Sequence, residues 1–112
     1  MTARKEALQE LLDAVRAGDG PGNHVFCLET IDQIKWAVDA WRGSLDAFVA
    51  LLKAALPGWW WTRPDGAEMG IIRIVGPDNG DCYPSSVGRN PDPARAGLIA
   101  ILKALIAMEG DE

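Results

Sequence analysis

Pro57-Gly58-Trp59-Trp60-Trp61-Thr62-Arg63-Pro64-Asp65-Gly66, with Glu68-Met69-Gly70-Ile71-Ile72-Arg73-Ile74-Val75 close behind, is the stretch that decides the fold. Pro57-Gly58 stops any helix that precedes it. The three indoles and Thr62 favour extended backbone, and Arg63-Pro64-Asp65-Gly66 has turn composition. Residues 68–75 return as a second strand, so the stretch predicts a β-hairpin over 59–75. In a strand, successive side chains point to opposite faces. Trp59 and Trp61 therefore face one way and Trp60 the other, and Ile72 and Ile74 oppose Ile71 and Val75. A sheet wet on one side would alternate apolar with polar residues. This one is apolar on both faces, which predicts cover on two sides. The expected architecture is α+β, a three-layer α-β-α sandwich with a small, mainly antiparallel sheet built on the 59–75 hairpin. At 112 residues the chain fits one domain, 1–112.

Working outward, residues 44–56 read as a helix. Ser44 suits its N-cap, Asp46 its first turn, and Leu45, Phe48, Val49, Leu52 and Leu56 share a face. The first helix is equally plain, with Leu8, Leu11, Leu12 and Val15 on one stripe, Thr2 as cap, and Gly18 as the stop. Residues 24–43 leave two readings open. Either His24-Val25-Phe26-Cys27-Leu28 is a short strand followed by a helix at 31–41, or the whole segment is helical. The first is preferred, because Thr30-Ile31-Asp32-Gln33 has capping-box spacing and Ile31, Ile34, Val38 and Trp41 fall together. Residues 76–93 form a loop with room for one strand near Cys82-Tyr83 or Ser85-Val87. Asp92 then caps a last helix with Pro93 at its first position. From Leu98 to Met108 its only charge is Lys103. A helix this apolar is either sandwiched or a contact between copies, so a homo-oligomer through the 93–108 helix is expected.

The block Trp41-Arg42-Gly43-Ser44-Leu45-Asp46-Ala47-Phe48, followed by Leu56-Pro57-Gly58-Trp59-Trp60-Trp61, resembles the phage ABA sandwich domain family. Asp92-Pro93-Ala94-Arg95-Ala96-Gly97-Leu98 is similar to the family's opening of its last helix, with Asp92 where Thr is usual. Leu8-Gln9-Glu10-Leu11-Leu12-Asp13-Ala14-Val15 is similar too, whereas residues 21–38 match poorly. The resemblance implies an α-β-α build and a phage or prophage origin. It implies no defined activity, because the family is largely uncharacterised.

Charge and composition narrow the function. The net charge is −5, spread as −2 over residues 1–56 and −3 over 57–112, with no Lys/Arg cluster along the chain. Direct binding of nucleic acid is therefore not expected. No apolar run is long enough to cross a bilayer, so no membrane association is expected. The opening residues lead into an amphipathic helix rather than a secretory apolar core, which makes the cytoplasm the expected compartment. Cys27, Cys82 and the single His24 lack metal-site spacing, and no cofactor is expected. A disulfide between the cysteines is the lesser alternative to two small core residues.

No nucleophile elbow, phosphate-binding glycine loop or zinc-protease motif occurs. The acids of the turns, Asp65, Glu68, Asp78 and Asp81, are ordinary there, so the chain is expected not to be an enzyme. Five tryptophans carry more weight. Three in a row cannot share a face, so one of Trp59–Trp61 must differ in environment from its neighbours. Indole faces stack on nucleobases. The segment Tyr83-Pro84-Ser85-Ser86-Val87-Gly88-Arg89-Asn90 adds hydroxyls, an Arg and an amide close to a helix start, where phosphate is attracted. The candidate ligand-binding residues are Trp41, Trp60, Arg63, Arg73, Tyr83, Ser85, Ser86, Arg89 and Asn90. The expected function is a non-catalytic phage or prophage binding protein, in its concrete form a counter-defence protein that sequesters a small nucleotide-like signalling molecule. The alternative is a protein-interaction module or inhibitor acting on a host or phage protein, acidic enough to mimic nucleic acid.

Overall fold

In the computed structural model, residues 3–18, 20, 22, 28, 30–62, 71–77 and 84–109 are described. Helix α1 runs Ala3–Ala17 and buries Leu8, Leu11, Leu12 and Val15, the stripe its spacing predicts. Gly18 ends it at a φ of +88°, a left-handed conformation in which a side chain would be strained. Helix α2, Ile31–Trp41, starts where Thr30 Oγ1 accepts from the Gln33 amide at 3.1 Å. Helix α3, Leu45–Ala55, starts where Ser44 Oγ accepts from the Ala47 amide at the same distance. Both caps lie where the sequence puts them, because capping is a matter of three neighbouring residues.

The buried face of α2 differs from the expected one. Ile31 is 81% exposed, Ile34, Val38 and Trp41 are half-buried, and the residues that close on the neighbouring helices are Gln33, Ala37 and Ala40. Small side chains let helix backbones approach, and that contact outranks the larger apolar stripe here. In α3 a similar shift leaves Leu45 at the surface and buries Ala47, Phe48, Leu51 and Leu52.

The hairpin forms. Strand β1, Trp60–Thr62, pairs antiparallel with β2, Ile71–Val75, with Trp60 opposite Val75 and Thr62 opposite Arg73. Its turn at 63–66 lies outside the described residues. Strand β3, Ser85–Arg89, adds to the other side of β2 with Arg73 opposite Val87, so the sheet order is β1-β2-β3. Of the two places open to a third strand, the one at Ser85-Val87 is used. Of the strand expected over 24–28, Leu28 is described and is buried in a bend, while residues 24–27, with His24 and Cys27, and Cys82 lie outside the described residues.

Helix α4, Pro93–Glu109, is the centre of the molecule. Asp92 Oδ1 accepts from the Ala94 and Arg95 amides at 2.9 and 3.3 Å, with Pro93 at the first position. Every residue from Ala96 to Leu102 is buried, two turns with no wet side. The reason is that α4 touches α1, α2 and α3 as well as β2 and β3. At Gly88 the β3 backbone lies on the α4 backbone so closely that a Cβ there would sit 1.8 Å from the Ala96 carbonyl oxygen. At Gly97 the same helix receives the Phe48 ring of α3. The apolar girth of α4 is thus covered within the chain. A contact between copies through 93–108 keeps only the end around Ala107 and Met108, which is 64% exposed.

The structure is α+β, with the small antiparallel sheet on the expected hairpin and helices packed against it. Within that class the layering is refined. Ile72 and Ile74 are fully buried toward α4, and Trp61 reaches Phe48 edge-on at 5.5 Å. Helices α1–α3 rest on α4, not on the far side of the sheet. Among the described residues the second sheet face is therefore partly open: Arg73, Ser85 and Arg89 are exposed and Trp60 is 48% exposed. Ile71 and Val75, which made the hairpin apolar on both sides, are half-buried there.

Candidate functional site

The register of the sheet gathers four of the candidate residues. Trp60, Val75 and Ser85 form one cross-strand row on the open face, Thr62, Arg73 and Val87 the next, and Ile71 and Arg89 the third. Trp60, Arg73 and Arg89 consequently lie on a diagonal, with neighbouring positions roughly 7–8 Å apart, as for diagonal pairs in any antiparallel sheet. An aromatic surface and two guanidinium groups are displayed side by side.

Arg89 also belongs to a groove of about 270 Å³ beside β3, lined by Arg16, Val87, Arg89, Ile99 and Lys103. Each cation comes from a different element. Arg16 stands in the last turn of α1, where a positive charge suits the helix dipole. Arg89 ends β3. Lys103 lies along α4 and donates from Nζ to the Val87 carbonyl at 2.8 Å. The Gly76 amide donates to the Pro84 carbonyl, which makes 74/86 and 72/88 the hydrogen-bonded pairs and turns the polar backbone groups of Val87 to the outer edge of the described sheet. Lys103 caps that edge, a device that also discourages strand-to-strand association.

Three positive side chains meet on this groove, and among the described residues no carboxylate lines it, in a chain whose net charge is −5. Like charges repel, so convergence of these three cations favours an anion over a neutral or cationic group beside them. Val87 and Ile99 add apolar surface, Ile99 being almost wholly buried.

The remaining candidates do other things. Ser86 turns inward, and its Oγ donates to the Ala100 carbonyl at 2.8 Å, tying β3 to α4. Asn90 Oδ1 accepts from the Asp92 amide at 2.9 Å and shapes the start of α4. Trp41 is occupied: the Arg95 guanidinium lies 3.9 Å over its ring, and a side chain at Gly20 would press on the indole from 3.2 Å. The start of α4, expected as a phosphate seat, has its first amides taken by Asp92, whose charge repels anions. Arg63 and Tyr83 lie outside the described residues. Arg16 and Lys103 join the candidate site only in the folded chain, because nothing in their sequence spacing links them to Arg89.

A second groove, of about 420 Å³, opens between Trp59, Pro77, Pro84 and Met108 and is mainly apolar. Among the described residues no group of three or more His, Cys, Asp or Glu side chains could hold a metal ion, and no helix is long and apolar enough to cross a membrane. Comparison with protein-family models, curated proteins and solved structures gave no match to this chain.

Proposed function

We propose that this chain is a non-catalytic binding protein that sequesters a small nucleotide-like molecule, with the phosphate end of the ligand in the Arg16–Arg89–Lys103 groove. The observation that carries the reading is the convergence of those three cations, from three separate elements, on one groove with no acid among its described lining residues. Guanidinium groups hold phosphate oxygens in pairs, and such charge-assisted bonds are the strong ones. The open sheet face beside Arg89 supplies an indole at Trp60 against which a base can stack. The sequence resemblance to the phage ABA sandwich family supports a phage or prophage setting. There, a protein that captures a signalling nucleotide in the host cytoplasm would act as a counter-defence agent.

Isothermal titration of the purified chain against a panel of cyclic and linear nucleotides tests the proposal. Saturable heat with one class of nucleotide, lost in Arg89→Ala, is the expected result. Flat traces throughout, with salt-sensitive capture of one host protein instead, would replace it with the interaction-module reading.

A further inference from the structure

Resting on that reading, we infer that the ligand carries a chain of two or more linked phosphoryl groups, its end seated among Arg16, Arg89 and Lys103 and its inner part reaching Arg73. Charge balance argues first. A single phosphate monoester brings about −1.5 to −2 at neutral pH, against three cations among the groove's described lining residues. It would leave positive charge uncompensated, and each further phosphoryl group relieves that repulsion. Position argues second. Arg73 occupies the next diagonal place from Arg89 on the open face, so the cationic track leaves the groove and runs toward Trp60. A ligand with one phosphate has no use for a cation there. Size argues third. At about 270 Å³ the groove is smaller than the roughly 300–1,000 Å³ of sites that enclose a drug-sized molecule. It suits a compact anionic end, with the rest of the ligand outside on the sheet.

The test is a titration series at constant ionic strength with adenosine, AMP, ADP, ATP and inorganic triphosphate. Variants Arg89→Gln, Arg16→Gln, Arg73→Gln and the control Lys35→Gln are each checked for unchanged thermal unfolding. Lys35 is exposed on α2 and lies outside the groove lining. Affinity should rise by at least about tenfold from AMP to ATP, and Arg89→Gln and Arg16→Gln should lower all phosphorylated ligands by a similar factor. Arg73→Gln should narrow the gap between ATP and AMP while leaving AMP binding as it was. Inorganic triphosphate binding as tightly as ATP would support the phosphoryl chain and assign the base no part. Equal affinity for AMP, ADP and ATP would overturn the inference and leave the nucleotide reading standing. An equal loss in Lys35→Gln would overturn it too, as general charge attraction. No heat with any nucleotide would remove both.

Discussion

The Arg95 guanidinium stacks 3.9 Å above the Trp41 ring while its Nε donates to the Trp41 backbone carbonyl at 2.5 Å. One side chain thereby joins the start of α4 to the end of α2 by two different interactions. Arg95→Ala should lower stability by about 2 kcal/mol, from a lost cation–π contact and a lost charged hydrogen bond. Arg95→Lys should recover only part, because an ammonium lacks the planar fork. Urea denaturation reads this as a lower midpoint at constant slope. Nucleotide titrations of the folded variants should be unchanged, since neither Trp41 nor Arg95 is among the groove's described lining residues.

Gly88 and Gly97 rank in a definite order. A Cβ at Gly88 meets backbone, 1.8 Å from the Ala96 oxygen and 2.7 Å from the Ala100 nitrogen, and neither can move without displacing α4. A Cβ at Gly97 meets the Phe48 ring at 2.4 Å, and a ring can tilt. Gly88→Ala should cost about 3 kcal/mol or more, and Gly97→Ala less, about 1–3 kcal/mol. Calorimetric melting of the two variants gives the order directly, and a reversed order would show that β3 adapts more easily than Phe48.

Asp92 caps α4 through Oδ1, which also tells what a conservative change should do. Asp92→Ala should cost about 1 kcal/mol and Asp92→Asn only a fraction of that, because an amide oxygen still accepts. Amide hydrogen exchange at Ala94 and Arg95 should quicken in the alanine variant. Unchanged protection there would mean that packing alone holds the first turn.

Trp60 and Trp61 are adjacent and should behave as opposites. Trp61 packs on Phe48, so Trp61→Ala should lower stability by about 3 kcal/mol. Trp60 is 48% exposed on the open face, and its replacement by Ala should cost less than about 1 kcal/mol. If a base stacks on it, Trp60→Ala should weaken nucleotide binding by roughly five- to 150-fold, the equivalent of about 1–3 kcal/mol for one stack. Thermal melts paired with titrations separate the two effects.

What the residues disclosed by themselves follows the range of the interactions involved. Caps at Thr30, Ser44 and Asp92 are settled within three positions, and the helix stops and the hairpin are nearly as local. Ser85–Arg89 is harder. Read as a loop, it offers every side chain to a ligand; paired as β3, it alternates, so Ser85 and Arg89 face out while Ser86 turns in to Ala100. Two apolar faces on β2 suggested two covering layers, yet half-burial of Ile71 and Val75 at a partly open face accounts for the pattern as well. The groove was out of reach. Arg16, Arg89 and Lys103 belong to three elements, and only tertiary packing makes neighbours of them.

Helix α4 is the last of the described elements in chain order, and each of the other helices and two of the strands rests on it. While the chain emerges from a ribosome, α1 to α3 and the hairpin are made without the surface that will hold them. The apolar sides that α4 will cover must wait, exposed, until residues 93–109 arrive. Assembly should therefore come as one late, concerted event rather than in stages, and a nascent chain stalled before Pro93 should be prey to proteases and dependent on chaperones.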